Sequence, residues 1–200
     1  MKMKSLIILA CISAAQTAHA TSIIINISDL DSNGTFIGSH FDEVFAPGTV
    51  TGTLTSVSID VTLTASVNET YASDLTFYID DTTLSTGGLL QIGGYNDLSA
   101  TDSWYDWANA GVSVGNSYIV GTKAIITVNL DRPVVFSPTS NANMAIYIGN
   151  AFMEPTAQGT WTGTMTLQGL TRVQAVPEPG SLLLGMSGLL ALAFLRTRRG

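Results

Sequence analysis

The chain has 200 residues, of which 46% are hydrophobic and 12% charged, and its net charge at pH 7 is −7. This acidic balance excludes the electrostatic attraction on which nucleic-acid binding depends, so nucleic acid is not an expected partner. The single cysteine, Cys11, excludes an intramolecular disulfide. Roughly 156 residues lie between the two unusual ends, enough for one domain with its own core.

The N-terminus has the order of a secretory signal. Lys2 and Lys4 precede an apolar stretch at 6–15, and Ala18 and Ala20 form a small-x-small cleavage site. We therefore predict that residues 1–20 are a signal peptide, helical in its apolar part, recognised by the Sec machinery and cut by signal peptidase. The exported chain would then contain no cysteine, because the only one lies in the signal.

Residues 21–175 have the pattern of a strand-rich domain. In "SVSIDVTLT", at 56–64, apolar and polar side chains alternate strictly, as in a strand with one buried and one wet face. The alternation returns at 75–79, 126–130, 144–148 and 161–167. Turn-forming groups separate the runs: Asn33-Gly34, Pro47-Gly48, Asp80-Asp81, Gly87-Gly88, Gly93-Gly94 and Asp131-Arg132-Pro133. We predict an all-β fold, an antiparallel β-sandwich or jelly roll of about eight to ten strands.

The C-terminus combines three features. A Pro-Glu-Pro motif is followed by fifteen mostly apolar residues and then by arginines: Pro177, Glu178 and Pro179, the run Ser181–Leu195, and Arg196, Arg198 and Arg199. A helix of that length covers about 22 Å, whereas a bilayer core is about 30 Å thick. We predict a short transmembrane helix at about 181–195 that anchors weakly, with its basic tail on the cytoplasmic side.

Motif, hydrophobic span and basic tail, in this order over residues 176–200, resemble the PEP-CTERM sorting domain of Gram-negative bacteria. The resemblance implies an exosortase, a membrane-embedded transpeptidase, as a partner that recognises Pro177, Glu178 and Pro179 and removes the tail. It also implies transient anchoring of a precursor in the inner membrane, followed by release or attachment at the cell surface. A permanent single-pass anchor is the alternative.

A second resemblance concerns the middle of the chain. "SVSIDVTLTASVNETYASDLTFYID" is similar to a stretch of the proprotein-convertase P-domain, which is a jelly roll. In that likeness, Asp74-Leu75 opens the strand that follows a short loop. The resemblance supports the predicted sandwich and carries no catalytic residue.

One stretch offers candidate metal ligands. "DLDSNG" places oxygen-bearing side chains at Asp29, Asp31 and Asn33, which is the first half of a calcium loop. The twelfth position is His40 rather than a glutamate, so the stretch is not an EF-hand. The alternative is a tight hairpin turn at Asn-Gly, with the two aspartates exposed beside it. No cofactor is expected, and calcium at this loop is the one exception that the sequence leaves open.

An aromatic cluster offers a candidate sugar contact. In "DSWYDWANAG", Trp104, Tyr105 and Trp107 stand among carboxylates and an amide, a combination that can stack on and hydrogen-bond to sugar rings. The alternative is that these rings anchor a loop on the core. Ser113 lies in a G-x-S-x-G match, but no histidine follows it, so a serine hydrolase is disfavoured.

Taken together, these patterns favour an exported, non-enzymatic protein of the cell surface or extracellular matrix. Its role would be structural or adhesive and linked to exopolysaccharide or biofilm. A carbohydrate-binding module, a calcium-dependent adhesion domain and a secreted hydrolase are the alternatives.

Overall fold

The computed structural model describes residues 21–81, 88–94, 104–105, 107, 119–151 and 154–173. The signal helix and the C-terminal hydrophobic helix predicted above lie outside this range. Within it, no helix is long and apolar enough to cross a membrane. The strands are β1 Ser22–Asn26, β2 Thr35–Ile37, β3 Phe41–Phe45, β4 Val50–Val67, β5 Leu75–Asp80, β6 Leu90–Ile92, β7 Trp104–Tyr105, β8 Lys123–Phe136, β9 Ala145–Asn150 and β10 Gln158–Arg172. Two short 3-10 turns, Ile27–Asp29 and Ala72–Asp74, accompany them, and the predicted all-β class is confirmed.

The strands form two five-stranded sheets. Sheet A has the order β1-β10-β4-β8, and β2 pairs with β10 beyond the end of β1. Sheet B has the order β3-β9-β5-β6-β7 and is antiparallel except for the short β6–β7 pair. Most consecutive strands alternate between the two sheets, an arrangement compatible with the predicted sandwich or jelly roll.

The core follows the alternation of sheet A. In β4, Val57, Ile59, Val61 and Leu63 are all buried, as predicted, because every second side chain of the strand points to the same face. On the neighbouring β10, Trp161 is fully buried and donates a hydrogen bond from Nε1 to the carbonyl oxygen of Ala72 at 3.2 Å. Each such large apolar side chain contributes about 1.5–3 kcal/mol through burial.

Sheet B departs from the prediction of one wet face. Every residue of β5 and β9 is buried. Residues of the face turned away from sheet A form a small second cluster that includes Tyr78, Tyr147 and Ala151. The hydroxyl of Tyr78 accepts a hydrogen bond from the backbone N–H of Gly88 at 2.7 Å. Alternation in these strands therefore reflects two different buried environments rather than one buried and one exposed face.

The predicted turn at Asp131-Arg132-Pro133 is wrong. Strand β8 continues through it, but the pairing with β4 jumps from Asn129 opposite Ser56 to Val134 opposite Leu54. The extra residues form a bulge on an edge strand, where proline is tolerated because its missing N–H leaves no ladder bond broken. The bulged Asp131 N–H donates instead to the hydroxyl of Tyr105 at 3.1 Å.

Both termini of the described domain lie at one end of sheet A. The carbonyl oxygen of Thr21 accepts a bond from Gly169 N–H at 2.7 Å, and Val173 N–H donates to Thr49 O at 2.8 Å. We call this the terminal end; it also carries the turn Ala46–Thr49, closed by a bond from Thr49 N–H to Ala46 O. The opposite, distal end carries Ile37 and Val67, both paired with Gln158, and the turn Ile119–Thr122.

Candidate functional site

An acidic groove opens between the β1 edge of sheet A and the β3 edge of sheet B. It has a volume of about 290 Å³, and its lining includes Asp29, Asp31, Asp42, Glu43 and Arg172. The fold therefore brings the two aspartates of the candidate calcium loop next to the two acids that follow His40. We refer to this cavity as the acidic groove.

The loop before the groove contains the tight turn expected at Asn33-Gly34. Thr35 N–H donates to Ser32 O at 3.0 Å, and Asn33 and Gly34 have φ of 52° and 75°. Two central residues with positive φ define a type I′ turn. A Cβ on Gly34 would overlap the carbonyl oxygen of Trp161, so the close approach of β10 also requires glycine here.

The hairpin part of that expectation is wrong. Strands β1 and β2, which flank the loop, both pair with β10, at Thr164–Gln168 and Gln158–Thr160 respectively. The loop therefore connects two strands that both pair with β10, and not two strands that pair with each other. Asp29 and Asp31 are exposed beside the turn, as expected.

The side chain of Asp42 makes two contacts that hold the loop in place. Its carboxylate is buried, accepts a hydrogen bond from Ser32 N–H at 2.9 Å and lies 3.0 Å from His40 Nε2. The His40 side chain is 53% exposed. The two oxygens of Asp42 are therefore engaged by a backbone amide and by an imidazole. Across the described ranges, no group of three His, Cys, Asp or Glu side chains is placed to hold a metal ion.

The three aromatic residues named as candidate sugar contacts do not share one environment in the structure. Trp107 is fully buried and donates from Nε1 to the carbonyl oxygen of Leu75 at 2.7 Å. A ring in this position presents no face to a sugar, which favours the core-anchoring alternative for Trp107. Tyr105 is half-buried. Trp104 pairs with Gln91 through its backbone, and its side chain lies outside the described part, as does Ser113.

A buried phenol that sequence patterns did not reveal lies on the outer face of sheet B. Tyr147 stands opposite Glu43 in the β3–β9 ladder and donates from its hydroxyl to Asp81 O at 3.1 Å. Burial, first of all, and then the charges of Glu43, Asp80 and Asp81 raise the pKa of Tyr147 above its ordinary value of 10.0. Cross-strand register created this cluster, and no spacing along the chain signals it.

The outer face of sheet A is rich in hydroxyl groups. Ser58 Oγ lies 2.8 Å from Thr127 Oγ1 across the β4–β8 ladder. The charges on this face include Asp60 and Lys123, whose side chains form an exposed ion pair at 2.9 Å. The threonine-rich wet face expected from the β4 pattern is thus present, and cross-strand contacts tie its side chains to one another.

Beyond the last strand, residues 175–199 match the profile of the PEP-CTERM protein-sorting motif. The C-terminal segment is a PEP-CTERM sorting motif. The resemblance read from the sequence is confirmed, and the match contains Pro177, Glu178 and Pro179 together with the three arginines. The motif implies that the protein is exported and that an exosortase processes it. No curated protein matches the chain in a sequence comparison.

The PEP-CTERM motif follows the folded domain closely. Val173 N–H is still bonded to Thr49 O, and three residues, at 174–176, separate it from Pro177. Three extended residues span about 10 Å. An enzyme that binds the motif therefore acts close to the terminal end of the domain.

Proposed function

We propose that the chain is an exported, non-enzymatic protein with a structural or adhesive role at the cell surface or in the extracellular matrix, linked to exopolysaccharide or biofilm. Its precursor passes through the Sec machinery, loses residues 1–20 to signal peptidase and is held in the inner membrane by the run at about 181–195. An exosortase then acts at the PEP motif. The proposal rests on the PEP-CTERM sorting motif, which follows the end of β10 closely in the sequence.

The distal end supports an adhesive role. Four large apolar side chains lie exposed there, at the end away from the sorting motif: Ile37 at 56%, Val67 at 45%, Ile119 at 67% and Val120 at 55%. Other exposed apolar side chains lie on β1, on β8 and at Val173, so the distal end holds half of those in the described residues, and exposed apolar side chains can serve as an interaction surface. The acidic composition between 21 and 176, with three basic against fourteen acidic residues, keeps such a protein soluble outside the cell.

Mass spectrometry of the protein recovered from its host tests the export and processing part. We expect a mature N-terminus at Thr21 and a C-terminal cut at or near Pro177–Pro179. A variant with Glu178→Ala should accumulate with its tail, while Glu154→Ala, a change within the domain, should be processed normally. Recovery of a chain that still runs from Met1 to Gly200 in the cytosol would refute the proposal.

Retention on the cell surface tests the adhesive part. Ile37→Asp and Val120→Asp place charges at the distal end, and Ala46→Asp places the same charge at the terminal end as a matched control. We expect the two distal variants to lose retention in the matrix or binding to exopolysaccharide severalfold. Equal retention by all three variants would argue against a role for the distal surface.

The acidic groove supports calcium-dependent adhesion as a second candidate. Asp29, Asp31, Asp42 and Glu43 all line it; because no three acidic side chains of the described residues are placed around one point, calcium would be held by fewer carboxylates together with carbonyl oxygens and water. Calorimetric titration of the domain with calcium, compared with Asp29→Ala, tests this candidate. Thr166→Ala, outside the groove, is the control. Heats no larger than dilution for the unmodified domain would remove the candidate.

A further inference from the structure

The two segments that flank the domain leave it at the same place. Thr21 is the first residue after the predicted signal, and its carbonyl oxygen bonds to Gly169 in β10. Val173, the residue directly after this strand, is bonded to the turn Ala46–Thr49. Strands β1 and β10 are antiparallel neighbours, so the start of one and the end of the other must coincide. Signal and tail therefore both attach at the terminal end.

The connection to the tail is short compared with the domain. Seven residues, at 174–180, separate Val173 from the hydrophobic run, and fully extended they reach about 25 Å. Strand β10 alone has 15 residues and is roughly 50 Å long at about 3.3 Å per residue. The terminal end must stay near the bilayer, whereas the distal end lies up to about 50 Å further along the strands.

The charge of the domain disfavours broad contact with anionic lipid. Between 21 and 176 the chain carries fourteen acidic and three basic residues, so broad contact of a sheet face with anionic lipid is repulsive. Arg172, one of the three basic residues, is at the terminal end, where its guanidinium carbon lies 4.9 Å from the centre of the Phe45 ring. Arg172 also lines the acidic groove with Asp29, Asp31, Asp42 and Glu43, so this end carries carboxylates as well as a cation, and the short tether rather than the charge sets the orientation.

We propose that the precursor stands end-on upon the membrane, with the terminal end as its lipid-facing surface and the distal end directed outward. This inference rests on the membrane anchoring in the proposed function and adds an orientation to it. The contacting surface consists of the turn Ala46–Thr49 with Arg172 and Val173. The exposed apolar side chains of the distal end then point away from the cell, where partners are reachable before the tail is cut.

Single-cysteine labelling can test the orientation, because the domain contains no cysteine of its own. The chain over residues 21–200, which is the precursor after loss of its signal and contains no cysteine, is reconstituted in vesicles of phosphatidylethanolamine and phosphatidylglycerol that contain head-group nitroxide lipids. Ala46→Cys reports the terminal end and Val120→Cys the distal end, each through a fluorescent label. We expect quenching at 46 to exceed quenching at 120 at least threefold. Equal quenching, or stronger quenching at 120, would overturn the upright orientation.

Two further measurements distinguish a wrong orientation from a failure of membrane anchoring. A flexible insert of 20 residues between Val173 and Pro177 should lower quenching at 46 to the level at 120, and unchanged quenching would show that the short tether does not set the orientation. A chain that fails to associate with the vesicles would refute the anchoring itself, and the inference with it. Circular dichroism of each labelled variant verifies that the sheets are intact.

Discussion

Gly93→Ala should be among the most destabilising small substitutions in the domain. Gly93 follows β6 with φ of 84°, and its N–H donates to Tyr105 O at 2.9 Å. A Cβ added there would overlap Trp107 Nε1 and the carbonyl oxygen of Leu75. Those two atoms are the donor and acceptor of the buried indole hydrogen bond, so a single methyl group would separate them.

The expected cost combines three effects. Left-handed backbone costs a non-glycine residue about 1–2 kcal/mol, and loss of a buried hydrogen bond with a group left unsatisfied costs about 1–3 kcal/mol. Displacing the fully buried ring of Trp107 adds the strain of repacking, about 1–3 kcal/mol. We expect Gly93→Ala to lower the free energy of unfolding by about 3–5 kcal/mol, since the strained backbone and the displaced ring partly relax together.

Urea unfolding of the domain over residues 21–175, followed by tryptophan fluorescence and circular dichroism, measures this loss. Gly48→Ala is the matched control, because Gly48 has φ of 75° but no atom within 4 Å of its added Cβ. It should lose about 1–2 kcal/mol from the backbone conformation alone. If Gly93→Ala and Gly48→Ala lower the free energy of unfolding by the same small amount, then Gly93 does not pack against the Trp107–Leu75 hydrogen bond as described.

Other sites give further predictions. The raised pKa of Tyr147 means that the folded state holds the phenolic proton more tightly than the unfolded state does. Its contribution to stability is therefore present below about pH 10 and is lost as the pH rises from there through the raised pKa of the folded state. Tyr147→Phe should therefore flatten the alkaline fall in unfolding free energy, and an unchanged pH profile relative to Tyr105→Phe would contradict this. Asp42→Ala should cost about 1–3 kcal/mol because Ser32 N–H loses its acceptor. His40→Ala should cost less in the same denaturant titration, and the reverse order would be inconsistent with the proposed role of Asp42.

Strand periodicity predicted much of sheet A. The alternation of β4 is unbroken from Val57 to Leu63, and each apolar position is buried, because this strand has one face on the core and one in water. The turn at Asn33-Gly34 was also predictable, since few other pairs adopt two consecutive left-handed conformations. The sorting motif was recognisable because its order and spacing along the chain are themselves the signal.

Other features depend on what the fold places nearby. Asp131-Arg132-Pro133 has the composition of a turn, yet it forms a bulge, since Tyr105 supplies the hydrogen bond that the ladder loses there. The sequence leaves both a sugar contact and a core anchor open for Trp107, and only the fold places the carbonyl oxygen of Leu75 beside its indole N–H. The cluster around Tyr147 needs the register of β3 against β9. Such contacts join distant parts of the chain and leave no local pattern.

The position of β10 in the chain and in the sheet links folding to sorting. It is the last strand before the PEP-CTERM motif, yet it lies in the middle of sheet A and pairs with β1, β2 and β4. Its buried side chains include Trp161, Met165, Leu167 and Leu170. At about 1.5–3 kcal/mol each, their burial is comparable to the whole stability of a domain, about 5–15 kcal/mol. Sheet A therefore cannot close until the chain has been exported almost to its sorting motif.

A truncation series tests this coupling directly. A chain over residues 21–157, which lacks β10, should show no cooperative urea transition, because β1, β2 and β4 lose the strand that joins them. The chain over 21–175 should unfold cooperatively, because it keeps the bond from Val173 to Thr49. Adding β10 as a separate peptide should restore the transition in proportion to peptide concentration. A cooperative transition in the shorter chain alone would show that the domain folds before its last strand is available, and the folding of sheet A would then be independent of the sorting motif that follows it.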